Sequence, residues 1–415
     1  MHLKLPHWFP LLPACCLILL AVCTDACTDA TSRSSTPGLA LPPALRNPYL
    51  RALTEEYDRF FADSMTGSQT PGAAVVIVQD SSIIFERGYG LKSNGTQDSV
   101  DIHTVFRIGS LSKGFAGVLT GLLVEEGKLH WEDPIVQFVP GFALSSAEQA
   151  GQVQLAHLLS HTTGLPYHAY TNMIEAGYDL RSIAPMFARL PLNGKAGEVF
   201  SYQNAAFSLI GEAMQAATGK GYPELLAEKI FQPAGMVDAS ADWASIHRCA
   251  DKALPHNPTG AGWRPDTIST RFFNAAPAGG VNASISDMGQ WLRLLLGYRP
   301  GIVSGNTLEK VFRPVIKTHN ERRYFNQWTG PKEAYYAMGW RVLVNGADTL
   351  LYHGGSVNGF RGEIALDRKN GIAICTLFNA ATPLANTCIP AFFDRYRAAL
   401  PAIQQWQSKS GKTTR

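Results

Sequence analysis

The sequence predicts an α+β fold: an antiparallel sheet formed by both chain ends and flanked by helices, with a mainly helical region inserted between them. Three observations predict it. Apolar runs of strand length occur near residue 75 and again beyond residue 336, the middle of the chain repeats at helical spacing, and amphipathic helices stand at both extremities. The 415 residues are 46% hydrophobic and 17% charged, enough apolar material for a large buried core.

The elements follow in chain order. Lys4 and the apolar run from Leu11 to Val22 read as a signal peptide over residues 1–26, too short an apolar stretch to span a membrane as a mature helix. Residues 27–46, rich in Ser, Thr and Pro, read as a flexible tether. Pro48 to Met65 carries Leu50, Leu53, Tyr57, Phe60 and Phe61 on one side of a helix. Ala73–Val78 and Ile83–Tyr89, joined at Asp80-Ser81-Ser82, predict a hairpin. Leu111, Phe115, Val118, Leu119, Leu122 and Leu123 mark a buried helix that Gly127 stops. A second apolar helix runs from Phe207 to Ala217. Strands are expected at Tyr336–Val344, Thr349–His353, Gly362–Leu366 and Gly371–Leu377, with turns at Asn345-Gly346 and Lys369-Asn370-Gly371. A last helix, Asn386–Leu400, precedes a tail at 401–415. The folded domain is then 47–400, with its sheet region at 47–109 and 300–400 and its helical region at 110–299. A cleft between these regions is the natural place for a site.

Charge and cysteine usage narrow the function. A net charge of +3 without a basic run in the body gives no nucleic-acid footprint, and Gly411-Lys412-Thr413 lacks the rest of a phosphate loop. Four of the seven cysteines, Cys15, Cys16, Cys23 and Cys27, lie in or just after the signal stretch. Leu20-Ala21-Val22-Cys23 is similar to a bacterial lipoprotein processing site, which would put a lipid anchor on Cys23; cleavage near Ala26 or Ala30 is the alternative. Both readings export the protein, to the periplasm or to a membrane anchor facing it. Cys249, Cys375 and Cys388 remain in the body, an odd number that forms no full disulfide framework.

Three short motifs carry chemistry. Ser110-Leu111-Ser112-Lys113 places a hydroxyl and an amine about 5–6 Å apart on one helix face, so the amine can help remove the hydroxyl proton. Taken alone, it is equally an N-cap serine beside a surface lysine. Tyr202-Gln203-Asn204 stands before the second apolar helix; a phenol beside a cation can act as a base, and Asn204 can donate to a carbonyl. His353-Gly354-Gly355-Ser356 closes a strand, where paired glycines let a substrate lie along the edge and a histidine can bind a carboxylate or move protons. His157, His161 and His168, and separately His247, Cys249 and His256, have spacings that a metal could use, although no cofactor is expected.

Together with Leu158-Leu159-Ser160-His161-Thr162-Thr163-Gly164-Leu165-Pro166 and Pro277-Ala278-Gly279-Gly280-Val281-Asn282, these motifs resemble the serine β-lactamase and penicillin-binding-protein family over roughly residues 48–400. The likeness is to its class C branch with D-aminopeptidase and esterase relatives. It implies a β-lactamase/transpeptidase-like fold and an acyl-enzyme mechanism. Ser110 would be the nucleophile, and Lys113 and Tyr202 would share its proton. Asn204, His353, Gly355 and Ser356 would hold the substrate, with the N–H groups of Ser110 and Ser356 as the oxyanion hole. His353 stands where class C β-lactamases carry a lysine. The expected function is an exported serine hydrolase of a β-lactam or related amide, with a link to antibiotic resistance. Esterase or D-amino-acid peptidase activity is the alternative within the family, and a non-catalytic cell-wall-binding protein is the alternative of another class. The expected partner is a small-molecule substrate; the sequence leaves the oligomeric state open.

Overall fold

A computed structural model describes residues 42–260, 262–319, 325, 327–330, 333–345 and 348–410. The signal stretch, Cys23 and most of the tether lie outside the described residues. Pro43–Arg46, the end of the expected tether, form a short 3₁₀ helix instead. Asn47 then caps the N-terminal helix, Pro48–Gly67, by accepting from Tyr49 N at 3.0 Å.

Eight antiparallel strands make the main sheet: β1 (Gly72–Gln79), β2 (Ser82–Gly90), β7 (Ile316–Lys317), β8 (Glu333–Tyr336), β9 (Arg341–Asn345), β10 (Asp348–Val357), β11 (Phe360–Asp367) and β12 (Ile372–Phe378). Their spatial order is β2-β1-β12-β11-β10-β9-β8-β7, so β1 from one end of the chain pairs with β12 from the other, Val76 opposite Cys375. Two small ribbons complete the strands: β3 (Phe106–Arg107) with β6 (Asn282–Ala283), and β4 (His256–Thr259) with β5 (Gly262–Pro265).

β1 is buried on both faces, which explains its unbroken apolar sequence. Ala73, Val75 and Ile77 face the two terminal helices, where Tyr57, Phe61, Ile389 and Phe392 form one core. Ala74, Val76 and Val78 face the inserted helices and join a second core with Phe115, Leu119 and Trp291. The two-residue period of the strand thus divides its side chains between two interiors.

Three expectations need correction. The run 336–344 is not one strand: Ala337 N bonds Trp340 O at 2.8 Å and Gly339 N bonds Leu159 O, making a turn between β8 and β9. β10 does not end at His353 but continues through Gly354, Gly355 and Ser356, paired with β11. The last helix spans Leu384–Ser410 and passes through Pro401, where a stop was expected. Proline removes one donor there, but the extension gains a buried Ile403, whose carbonyl accepts from Asn47 at 3.3 Å.

Candidate active site

Ser110 lies in a single 3₁₀ turn, Gly109–Leu111, that runs directly into the helix Ser112–Glu125. Lys113, one turn later, is fully buried. Its Nζ is 3.2 Å from Ser110 Oγ, 2.9 Å from Asn204 Oδ1 and 2.9 Å from the carbonyl of Ala278. Burial, and then the Arg341 guanidinium, push the amine well below the usual lysine range. A neutral amine has two N–H groups and one lone pair. Asn204 Oδ1 and Ala278 O only accept, so they take the two N–H groups. In that neutral form the lone pair is left for the Ser110 hydroxyl, the arrangement a general base requires.

Tyr202 and Asn204 come to the same place from the loop and first turn of the helix Asn204–Thr218. Lys113 Nζ lies 4.8 Å from the Tyr202 ring centroid, and the Arg341 guanidinium 5.3 Å from it on the same ring. Asn204 Nδ2 is 3.5 Å from both His168 Nδ1 and Thr171 Oγ1, so the amide spans from the lysine to the cleft wall.

β10 forms the opposite wall. A Cβ on Gly355 would stand 2.2 Å from Ile108 O and 3.1 Å from Ser110 N. A Cβ on Gly109 would stand 2.8 Å from Ser356 N. Only glycine at both positions lets the two backbones, and so the Ser110 and Ser356 amides, approach this closely. The cleft between holds about 550 Å³ and is lined by residues that include Ser110, Tyr202, Asn204, Arg341, Arg361, Gly355 and Ser356. That volume suits a small organic ligand.

His353 departs from its expected part. Its side chain is fully buried beneath Tyr336 and Arg341, with Nε2 3.0 Å from the Tyr336 hydroxyl and Nδ1 2.8 Å from Gly354 O. Burial, then Arg341 and Lys113, hold its pKa well below the usual histidine range, so it supplies no positive charge. The cations lining the cleft are Arg341, one strand away and paired across the ladder with Tyr352, and Arg361 on β11, which is ion-paired with Glu363. Sequence reasoning passed over Arg341, although a charged residue inside an apolar strand was a signal. The Ala278 carbonyl gave no signal, because a main-chain atom has no residue type.

The histidines weighed as metal ligands are scattered in separate roles. His157 Nδ1 accepts from Gln154 N at 3.1 Å, and His161 lies between Gln203 N and the Tyr336 hydroxyl. His247 stacks on Trp243, while His256 links Asn94 N to Asn379 O. Among the described residues, no group of three or more His, Cys, Asp or Glu side chains is arranged to hold a metal ion.

A family model described as Beta-lactamase matches residues 57–397. The chain belongs to the Beta-lactamase family. It is 26% identical over 347 residues to "Unguisins hydrolase ungD'" of Aspergillus campestris, covering 79% of this chain and 62% of that protein. It is 23% identical over 329 residues to "Protein flp" of Staphylococcus aureus, covering 78% of this chain and 63% of that protein. The chain therefore spans less than two thirds of the length of these curated relatives. Among solved structures, the octameric penicillin-binding protein homologue from Pyrococcus abyssi superposes with a TM-score of 0.70 at 24% identity, over 84% of this chain and 77% of that one. The β-lactamase/transpeptidase-like fold is shared, and members of the family are generally serine hydrolases that need no cofactor.

Proposed function

We propose that this protein is an exported serine hydrolase that forms an acyl-enzyme at Ser110 with a β-lactam or a related compact amide. The observation that carries the reading is the fully buried Lys113 amine, pushed well below the usual lysine range, standing 3.2 Å from Ser110 Oγ. In the first step the hydroxyl proton passes to Lys113 Nζ while Oγ attacks the substrate carbonyl, with Tyr202 beside the same amine. The Ser110 and Ser356 amides receive the developing oxyanion. The tetrahedral intermediate then collapses, the leaving group takes a proton, and water releases the acyl group.

Arg341 at the cleft wall favours substrates that carry a carboxylate near the scissile bond, as β-lactams and peptides do. Esters remain the alternative within the family, in keeping with an uncharged histidine at position 353. The assembled Ser110, Lys113, Tyr202 and Asn204 speak for turnover rather than for a purely wall-binding role. The apolar run Leu11–Val22 supports export, with Cys23 as a candidate lipid anchor.

The test uses intact mass with a fluorophosphonate probe, together with turnover of a penicillin, a D-alanyl anilide and a short-chain p-nitrophenyl ester. One adduct on Ser110 and turnover of at least one substrate are expected, both abolished in Ser110→Ala. Turnover retained in that variant would refute the mechanism.

A further inference from the structure

His161 and His353 lie behind the cleft, joined through the hydroxyl of Tyr336, and all three side chains are fully buried. The direction of each hydrogen bond is fixed from the two ends. Gln203 N–H can only donate, and it points at His161 Nδ1 from 3.1 Å. That nitrogen is therefore bare, and the proton of the neutral ring sits on Nε2, 3.2 Å from the Tyr336 oxygen. At the far end Gly354 O can only accept, from His353 Nδ1 at 2.8 Å. His353 Nε2 is thus the bare nitrogen, and the Tyr336 hydroxyl donates to it across 3.0 Å. Tyr336 accepts from one ring and donates to the other, so each donor along the chain faces an acceptor.

We infer that Gln203–His161–Tyr336–His353–Gly354 is a one-directional hydrogen-bond chain that locks both imidazoles in fixed neutral tautomers and positions the catalytic loop and Arg341 against the substrate edge of β10. Its ends carry the consequence. Gln203 lies between Tyr202 and Asn204, and Gly354 immediately precedes Gly355 and Ser356. The bare Nε2 of His353 also faces the Arg341 guanidinium at 3.4 Å, holding that cation in the cleft wall. His161 keeps its place at φ +59°, a left-handed backbone that a residue with a Cβ adopts only when its surroundings compel it. The titratable and charged groups that act on the two rings are Lys113, Arg341 and, for His161, His353 and His168. All are basic, and each opposes a further proton. A proton added to His161 would place Nδ1–H against Gln203 N–H.

Both histidines are positioning residues rather than catalytic ones. The effect on turnover rests on the acyl-enzyme reading above; the tautomers do not. Histidine ¹⁵N NMR of the full chain, assigned with His161→Asn and His353→Asn, should show His161 protonated at Nε2 and His353 at Nδ1, both neutral at pH 6. The opposite tautomer on either ring, or a charged ring at that pH, would overturn the chain. Tyr336→Phe removes both central bonds. It should lower kcat/KM about tenfold more for an ester bearing a free carboxylate than for its neutral analogue, mainly through KM, as loss of support for one charged contact implies. Equal effects on the two esters would overturn the positioning of Arg341. If the wild type hydrolyses neither ester, the ester alternative fails, the same comparison is made between a penicillin and its carboxylate-blocked ester, and the tautomers judge the chain independently.

Discussion

Replacing Lys113 with methionine keeps the length and bulk of the side chain and removes the lone pair that faces Ser110 Oγ. General-base assistance is worth ~10²–10⁴ in rate, or about 2.7–5.4 kcal/mol of barrier. The substitution also leaves Asn204 Oδ1 and Ala278 O without the donor that stands 2.9 Å from each. Each orphaned acceptor costs roughly 1–3 kcal/mol, offset by no longer burying an amine. The folded state should therefore survive with a modest loss. The assay is the pseudo-first-order rate of fluorophosphonate labelling from pH 5 to 10, with thermal melts in parallel. In the wild type the rate should climb and level off well below the ordinary lysine range, because burial and Arg341 lower the amine. The sign for stability is the same. Between the folded and unfolded pKa values only the unfolded chain binds the proton, so Lys113 costs stability as pH falls through that window. Lys113→Met should remove both the rate limb and this part of the stability slope. A labelling rate within tenfold of wild type, with the pH limb intact, would refute the assignment of Lys113 as the base.

Two further changes test the surroundings. Glu363, fully buried between Tyr352 and Arg361, is pushed up to about 7 by burial from an ordinary value of 4.5. Its contribution to stability is therefore fully present below pH 4.5 and lost as pH rises through 7, on the order of 3 kcal/mol in all. Glu363→Gln should flatten the Tm-against-pH curve across that window, and an unchanged slope would count against the burial argument. Gly355→Ala would drive a Cβ to 2.2 Å from Ile108 O, forcing the backbones that carry the Ser110 and Ser356 amides apart. It should cost ~10²–10³ in kcat, whereas Gly151→Ala, with nothing within 4 Å, should leave kcat unchanged.

Much of the fold was legible because periodicity is a local property. The apolar pattern from Leu50 to Phe61, the buried run at β1 and the stripe from Leu111 to Leu123 each report which face is buried, within one element. What failed did so where a distant segment intervened. The break between β8 and β9 depends on a bond from Gly339 to Leu159, and the helix through Pro401 depends on Asn47 docking against Ile403. Neither partner lies within a window that local pattern can read.

The site divides along the same line. By itself the sequence determined which reactive groups are present and that Ser110 and Lys113 share a helix face, since i and i+3 meet in any helical turn. It also showed, in Gly354-Gly355, a strand edge that a substrate backbone could approach. Only the tertiary structure decided the charge states. The Lys113 amine is pushed well below the usual lysine range because burial strips it of water and Arg341, far away in the chain, stands nearby. His353 is neutral and hidden because Tyr336 and Arg341 cover it from neighbouring strands. Desolvation and Coulomb energy depend on every group nearby in space, whatever its position in the chain, so protonation and cleft polarity belong to the folded molecule alone.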